Sequence, residues 1–208
     1  MATGDYCTPD ELKRELWPDD MVPDGANDVA LQEIIGAVSR EIDYYTGTCF
    51  YAPASDTRYF TADNSRQCWI DPCTTVTSVA TDDESDLTFS TSWTLTTDYR
   101  LWPYNANAYR GLPATRIDRS PLGNYSFPMG GGAVKVVGVF CYNASASPAA
   151  TLDDIKRVVY KKCTREKARV GSPFGMLSVG EAGGVAIIPG LDPDEKRILD
   201  NYRVNYYG

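Results

Sequence analysis

The stretch Asp28–Gly47, "DVALQEIIGAVSREIDYYTG", decides how the rest of the chain is read. Leu31, Ile34, Ile35, Val38, Ile42 and Tyr45 recur at steps of three and four residues, which lays one apolar stripe along a helix. Gln32, Glu33, Arg40, Glu41 and Asp43 take the opposite face, and Gly47 stands where a helix stops. A stripe of this kind is core, so something must cover it. The next helical pattern of comparable length comes only after about ninety residues of different texture.

That second pattern is "SPAATLDDIKRVVYKKCTREKARV", with Leu152, Ile155, Val158, Val159 and Cys163 as its stripe and basic residues gathered at its C-terminal end. Ser147 or Thr151 is its expected N-cap. Two shorter helices carry their own start signals. In "TPDELKREL" Thr8 is the N-cap, Pro9 is N1 and Glu11 at N3 completes a capping box, with the end near Trp17–Pro18. In "DPDEKRILDNYRVNYYG" Asp192, Pro193 and Glu195 repeat the device. The linker "WPDDMVPDGAND" and the glycine-rich "GSPFGMLSVGEAGGVAIIPG" have no helical period, and the latter reads as an extended arm or loop.

Between the long helices, from Tyr51 to Tyr142, short β-rich runs alternate with turn residues: "DTRYFTA", "QCWIDP", "TTVTSVAT", "LTFS", "WTLTTDYRLWP", "TRIDRS" and "AVKVVGVFCYN". Gly138 in the last run marks a bulge or a close approach. The fold class is therefore α+β: a small α-helical bundle (1–50 and 146–170) with an inserted antiparallel β domain (51–145) and a C-terminal arm plus helix (171–208).

Composition narrows the function. The 208 residues can bury about 70% of their unfolded surface. A formal charge of −8 opposes a DNA-gripping surface, which needs clustered Lys and Arg, but does not oppose a surface that lets DNA slide past without sticking. The chain has no histidine, which removes the commonest general base, the usual triads and most catalytic zinc sites, so no enzyme is expected. The six cysteines lack any CxxC pair and read as reduced, mostly buried thiols. No apolar run approaches the roughly 20 residues of a membrane span, nothing marks the start for secretion, and folding inside the cell is expected.

One stretch imitates a metal site. "DDESDL" places Asp82, Glu84 and Asp86 at alternating positions, as a calcium loop does. Position 6 is Leu87 instead of glycine and position 12 is Trp93 instead of glutamate, with strand-like flanks, so a solvated hairpin turn is expected. Neither "MGGGAV" nor "GEAGGVAIIPG" has the spacing of a phosphate loop, and no cofactor is expected. "YRLWPYNANAYRG" offers aromatics beside arginine, suited to packing or to stacking a sugar or a base.

The order of these segments resembles the head–tail connector (adaptor, head-completion) proteins of tailed double-stranded DNA bacteriophages. The likeness is carried by "TPDELKREL", "LQEIIGAVSREIDYYTGTCFY", "TRYF", "TSWTLTTDYRLWPYNA", "PATRID", "VKVVGVFCY", a proline-containing linker, and "LDDIKRVVYKKCTREKA" leading to "SPFG". It extends to about Gly175 and rests on order and spacing, with no single diagnostic motif.

The resemblance implies a structural virion protein, assembled in the host cytoplasm and located in the neck at the head–tail interface. Its partners would be further copies of itself in a ring, commonly of twelve, together with the portal protein and a stopper or tail-completion protein. Genomic DNA would pass through the channel without specific binding, and no membrane is involved. Such adaptors meet the portal through C-terminal segments, which singles out 171–208 and, within it, Ile198, Tyr202, Tyr206 and Tyr207. The competing expectation is a carbohydrate- or receptor-binding module that uses the β insertion.

Overall fold

The computed structural model describes residues 4–16, 28–51, 54–104, 112–142, 152–170, 177–179, 184–186 and 190–204. The chain divides into two compact units, Met1–Phe50 with Ser147–Gly208, and Tyr51–Ala146. Helices and antiparallel sheets make it an α+β protein.

The first unit holds α1 (Pro9–Leu16), α2 (Asp28–Thr46), α3 (Asp153–Val170) and α4 (Pro193–Asp200). The stripe of α2 is covered by α3, and α4 packs against both. Leu31, Ile35, Val38 and Ile42 are buried as the periodicity requires, while Ile34 and Tyr45 at the stripe's edge are only half-buried. From α3, Ile155, Val158, Val159 and Cys163 are fully enclosed. Each such aliphatic side chain stabilises the bundle by about 1.5–3 kcal/mol.

Two hydroxyls join the stripe of α2. Ser39 accepts the backbone N–H of Tyr6 at 3.2 Å, and Thr46 Oγ1 donates to the Ile42 carbonyl at 2.8 Å. Asp43, assigned to the solvent face by its charge, is partly buried instead, because the N-terminal segment lies over it. The α1 capping box forms: Thr8 N–H donates to Glu11 Oε2 at 2.9 Å and Glu11 N–H to Thr8 Oγ1 at 3.2 Å. The expected α1 terminus at Trp17–Pro18 and the expected caps Ser147 and Thr151 lie outside the described residues. Within the segment read as an arm, Leu177–Val179 (β8) pairs antiparallel with Gly184–Ala186 (β9).

Among its described residues the second unit has seven strands: β1 (Asp56–Phe60), β2 (Gln67–Cys73), β3 (Thr75–Thr81), β4 (Thr91–Trp93), β5 (Tyr99–Trp102), β6 (Ala114–Arg119) and β7 (Val134–Val139). They form two antiparallel sheets, ordered β1-β7-β3-β4 and β2-β6-β5. The inner faces share one core that includes Cys68, Ile70, Val79, Trp93, Ile117, Val134 and Val136. Trp93 stacks on Phe127 at 4.4 Å between ring centres, and its indole N–H donates to Thr81 Oγ1 at 3.0 Å.

The structure corrects two strand readings. "WTLTTDYRLWP" is not one strand: it turns at Thr94–Asp98 and changes sheets, so Trp93 and Tyr99 enter the core from different layers. The turn is closed by Asp98, whose N–H donates to the Thr94 carbonyl and whose carboxylate accepts the Thr94 N–H, both at 2.8 Å. Thr96 sits inside it at φ 72°. "LTFS" is not a strand either, since Leu87 and Phe89 adopt φ 65° and 49°. These left-handed conformations cost an L-residue about 1–2 kcal/mol each.

The acidic stretch is the turn between β3 and β4, which pair from Thr81↔Thr91 to Val79↔Trp93. Asp82, 4% exposed, accepts the backbone N–H groups of Asp86 at 3.1 Å and Leu87 at 2.9 Å. Its carboxylate serves the turn's own backbone.

Gly138 combines both features expected of it. The β3–β7 register jumps between Val76↔Gly138 and Ser78↔Val137, leaving Thr77 as the extra residue on β3. A Cβ at position 138 would lie 2.5 Å from the Thr75 carbonyl oxygen and 2.8 Å from Cys73 Sγ. Gly138→Ala should therefore lower stability by about 1–3 kcal/mol in urea unfolding. Gly131→Ala, where a Cβ meets nothing within 4 Å, should stay within about 0.5 kcal/mol of the parent.

Candidate assembly surfaces

The C-terminal helix is held to its own bundle by charge as well as by Leu191 and Leu199, both buried. Glu195 reaches back to cap the Asp192 N–H at 2.9 Å, and its carboxylate, 1% exposed, receives Arg165 NH2 at 2.7 and 2.5 Å. The same guanidinium pairs with Asp192. Beside it, Lys162 Nζ, also enclosed, donates to the Gly190 carbonyl at 2.6 Å and pairs with Glu41 at 2.9 Å. The two cations of α3 thus lock the entry into α4.

Against this frame the sequence-derived contact residues separate. Ile198 is half-buried. Tyr202 is half-buried too, edge-on to Phe50 at 5.3 Å, with its hydroxyl 3.4 Å from Asp154. Tyr206 and Tyr207 lie outside the described residues. Phe50 also receives the ring of Tyr6 edge-on at 5.7 Å. The Tyr6 hydroxyl accepts the Phe50 N–H at 2.9 Å and donates to Asp43. Burial raises the Asp43 carboxyl to about 6, even though Tyr6 and Arg40 favour its charge.

The second unit presents a surface that the sequence only half disclosed. Cys68, Ile70 and Ile117 point into the core and Leu101 packs against it, so strand alternation turns Trp69, Arg116 and Trp102 to the outer face of the β2-β6-β5 sheet. Register makes them one row across three strands: Trp69 opposite Arg116, and Arg116 opposite Trp102. The guanidinium lies 5.0 Å from the Trp69 ring centre and 4.7 Å from that of Trp102. Such contacts are worth about 0.5–1 kcal/mol each when exposed.

Asp118 fixes the arginine, accepting Nε at 2.7 Å and NH2 at 2.9 Å, and also accepts the Tyr104 hydroxyl at 2.8 Å. That hydrogen bond raises the Tyr104 phenol above its ordinary value. Trp69 is 51% exposed, Trp102 37% and Tyr104 55%, so large aromatic area faces outward. Trp102 and Tyr104 belong to the stretch singled out for stacking. Trp69 and Arg116 were missed, although the alternation in "QCWID" places Trp69 opposite its buried neighbours.

The arrangement supplies stacking area and directed hydrogen bonds. Cys7, Cys68, Cys73 and Cys163 are free, buried thiols. Burial raises Cys68 to about 12, Cys73 to about 11 and Cys163 to about 12, far from thiolate at neutral pH. Among the described residues, no group of three or more Cys, Asp or Glu side chains is placed to hold a metal ion.

Two measurements test the helical frame. Arg165→Ala leaves the Glu195 carboxylate buried without its cation, and should cost about 3–5 kcal/mol, with hydrogen exchange rising first across 193–200. Asp43 binds its proton more tightly folded than unfolded, so its contribution favours the folded state below about pH 4 and is lost as pH rises through about 6. Asp43→Asn keeps an acceptor for Tyr6 and should gain up to about 2 kcal/mol on the parent between pH 4 and pH 7, followed by urea midpoints.

No protein-family model matches the sequence, and no curated protein matches it significantly. Solved structures do match. A chain from the neck of an empty GTA particle, computed with C6 symmetry, aligns at a TM-score of 0.58 and 20% identity, covering 100% of this chain and 95% of that one. A chain from the neck of a native GTA particle, computed with C12 symmetry, aligns at 0.53 and 19% identity, covering 100% of this chain and 98% of that one. From end to end, this chain has a fold found in the necks of GTA particles.

Proposed function

We propose that the chain is a structural component of a virion neck, a head–tail adaptor that assembles as a homo-oligomeric ring beneath the portal. The full-length likeness in fold to neck chains carries this reading. The formal charge of −8 agrees with it, since a channel wall that repels phosphate lets DNA pass without adhering. In this role the ring extends the DNA channel and offers a platform to a stopper or tail protein. The segment 171–208 meets the portal or a neighbouring copy, led by Ile198, Tyr202, Tyr206 and Tyr207.

Electron microscopy of the virion neck, with a tag on this chain, should place it as a ring against the portal. Its presence only at the tail tip or on the capsid exterior overturns the adaptor reading. Tyr206→Ala with Tyr207→Ala should weaken portal binding at least tenfold in a pull-down titration. Unchanged binding removes these two residues from the contact.

A second reading, a carbohydrate- or receptor-binding module, draws on the exposed row of Trp69, Trp102 and Tyr104. Saturable binding on a glycan array that Trp102→Ala abolishes would favour it.

A further inference from the structure

The row Trp69–Arg116–Trp102 has the composition of an interface hot spot, where Trp, Tyr and Arg are over-represented. Its occupant follows from what stands on the opposite side of the same unit. Phe60, Val134 and Val136 face or pack against the core, so Tyr59 and Lys135 point away from it, on the outer face of the β1-β7-β3-β4 sheet. Phe89 lies on that face, 5.2 Å from the Tyr59 ring and 5.8 Å below Lys135 Nζ. The 82–89 loop is therefore anchored on one outer face of the two-sheet unit, and the aromatic row occupies the other.

The loop is built to display. Ser85, Leu87 and Phe89 all hold positive φ, and Asp82 ties the backbone of residues 86 and 87 from beneath. Leu87 is 79% exposed despite being a large apolar residue in a conformation that favours glycine. Backbone strain that presents a side chain to solvent is a mark of a working surface. Around Leu87 stand the exposed carboxylates Asp83, Glu84 and Asp86. Around the row stand the guanidiniums of Arg116 and the exposed Arg100, with the carboxylates of Asp118 and of the exposed Asp63, which accepts the Trp69 N–H at 3.4 Å. The loop is acidic, while at the row Asp118 already pairs with Arg116 and the exposed Arg100 stands beside it.

A head-to-tail ring needs two different, complementary patches on opposite sides of each subunit. We infer that the 82–89 loop of one copy docks on the Trp69–Arg116–Trp102 row of the next, with Leu87 against the indoles and its carboxylates toward Arg100. This deepens the adaptor reading and rests on it, the ring being supported by neck structures computed with C6 and C12 symmetry. The row is the centre of that interface, which needs roughly 800 Å² per partner in all. A glycan fits the row less well, because Arg116 already fills the space between the two indoles.

The test uses the full chain carrying a photo-crosslinking residue in place of Glu84, incorporated into particles. Illumination should give a ladder of covalent multimers, with peptides joining position 84 to the Trp69 or Trp102 segment of another copy. Trp102→Ala and Trp69→Ala should each cut the ladder at least fivefold. Leu87→Gly should do the same without lowering the melting temperature, a separation that a merely structural leucine would not produce.

A ring in the particles whose cross-links join other segments overturns this interface and leaves the adaptor reading intact. Particles that hold a single copy of the chain, or none, by quantitative mass spectrometry overturn both. Glycan binding at the row with no cross-link to it assigns the surface to sugar and also overturns the interface.

Discussion

The hydroxyl of Tyr6 is the point on which the helical unit depends. It is enclosed, it donates to Asp43 on α2, and it accepts the N–H of Phe50, the last residue before the chain leaves for the β unit. Phe50 carries the Tyr6 ring and the Tyr202 ring edge-on, and the Val204 N–H closes onto the Thr46 carbonyl at 2.8 Å. Three segments far apart in sequence are thus joined by one phenol, one phenylalanine and one backbone bond. A partly buried carboxylate is tolerated there because Tyr6 and Arg40 both face it.

This arrangement explains how a β unit of 96 residues, Tyr51–Ala146, interrupts a helical bundle without dividing it. The stripe of α2 is completed by α3, and the docked α4 is secured by Arg165 and Lys162. The bundle is closed by contacts distant in sequence, and the β unit builds its own core between two sheets. Each unit therefore has its own apolar interior.

Some of the chemistry was local and therefore legible. The capping boxes at Thr8 and Asp192, the stripes of α2 and α3, and the reserved place of Gly138 depend on neighbours within one or two turns or on one missing Cβ. The acidic turn was legible for the same reason, because a calcium loop fails without its glycine and its final glutamate. The break at Thr94–Asp98 was hidden: threonine and tryptophan favour strands, and only the positive φ at Thr96 and the Asp98 bonds redirect the chain.

By itself, the sequence determined the apolar stripes of α2 and α3, the capping boxes at Thr8 and Asp192, the α+β class, the lack of any histidine and the acidic balance. These follow from periodicity, capping and composition, which act along the chain. Only the tertiary structure decided that Asp43 is covered by Tyr6, and that Arg165 and Glu195 hold α4. It alone placed Trp69, Arg116 and Trp102, drawn from strands up to 47 positions apart, in one row. The physical reason is register: which side chains face one another across a sheet is set by hydrogen-bonded pairing, and a slip of one residue would turn every one of them to the other face.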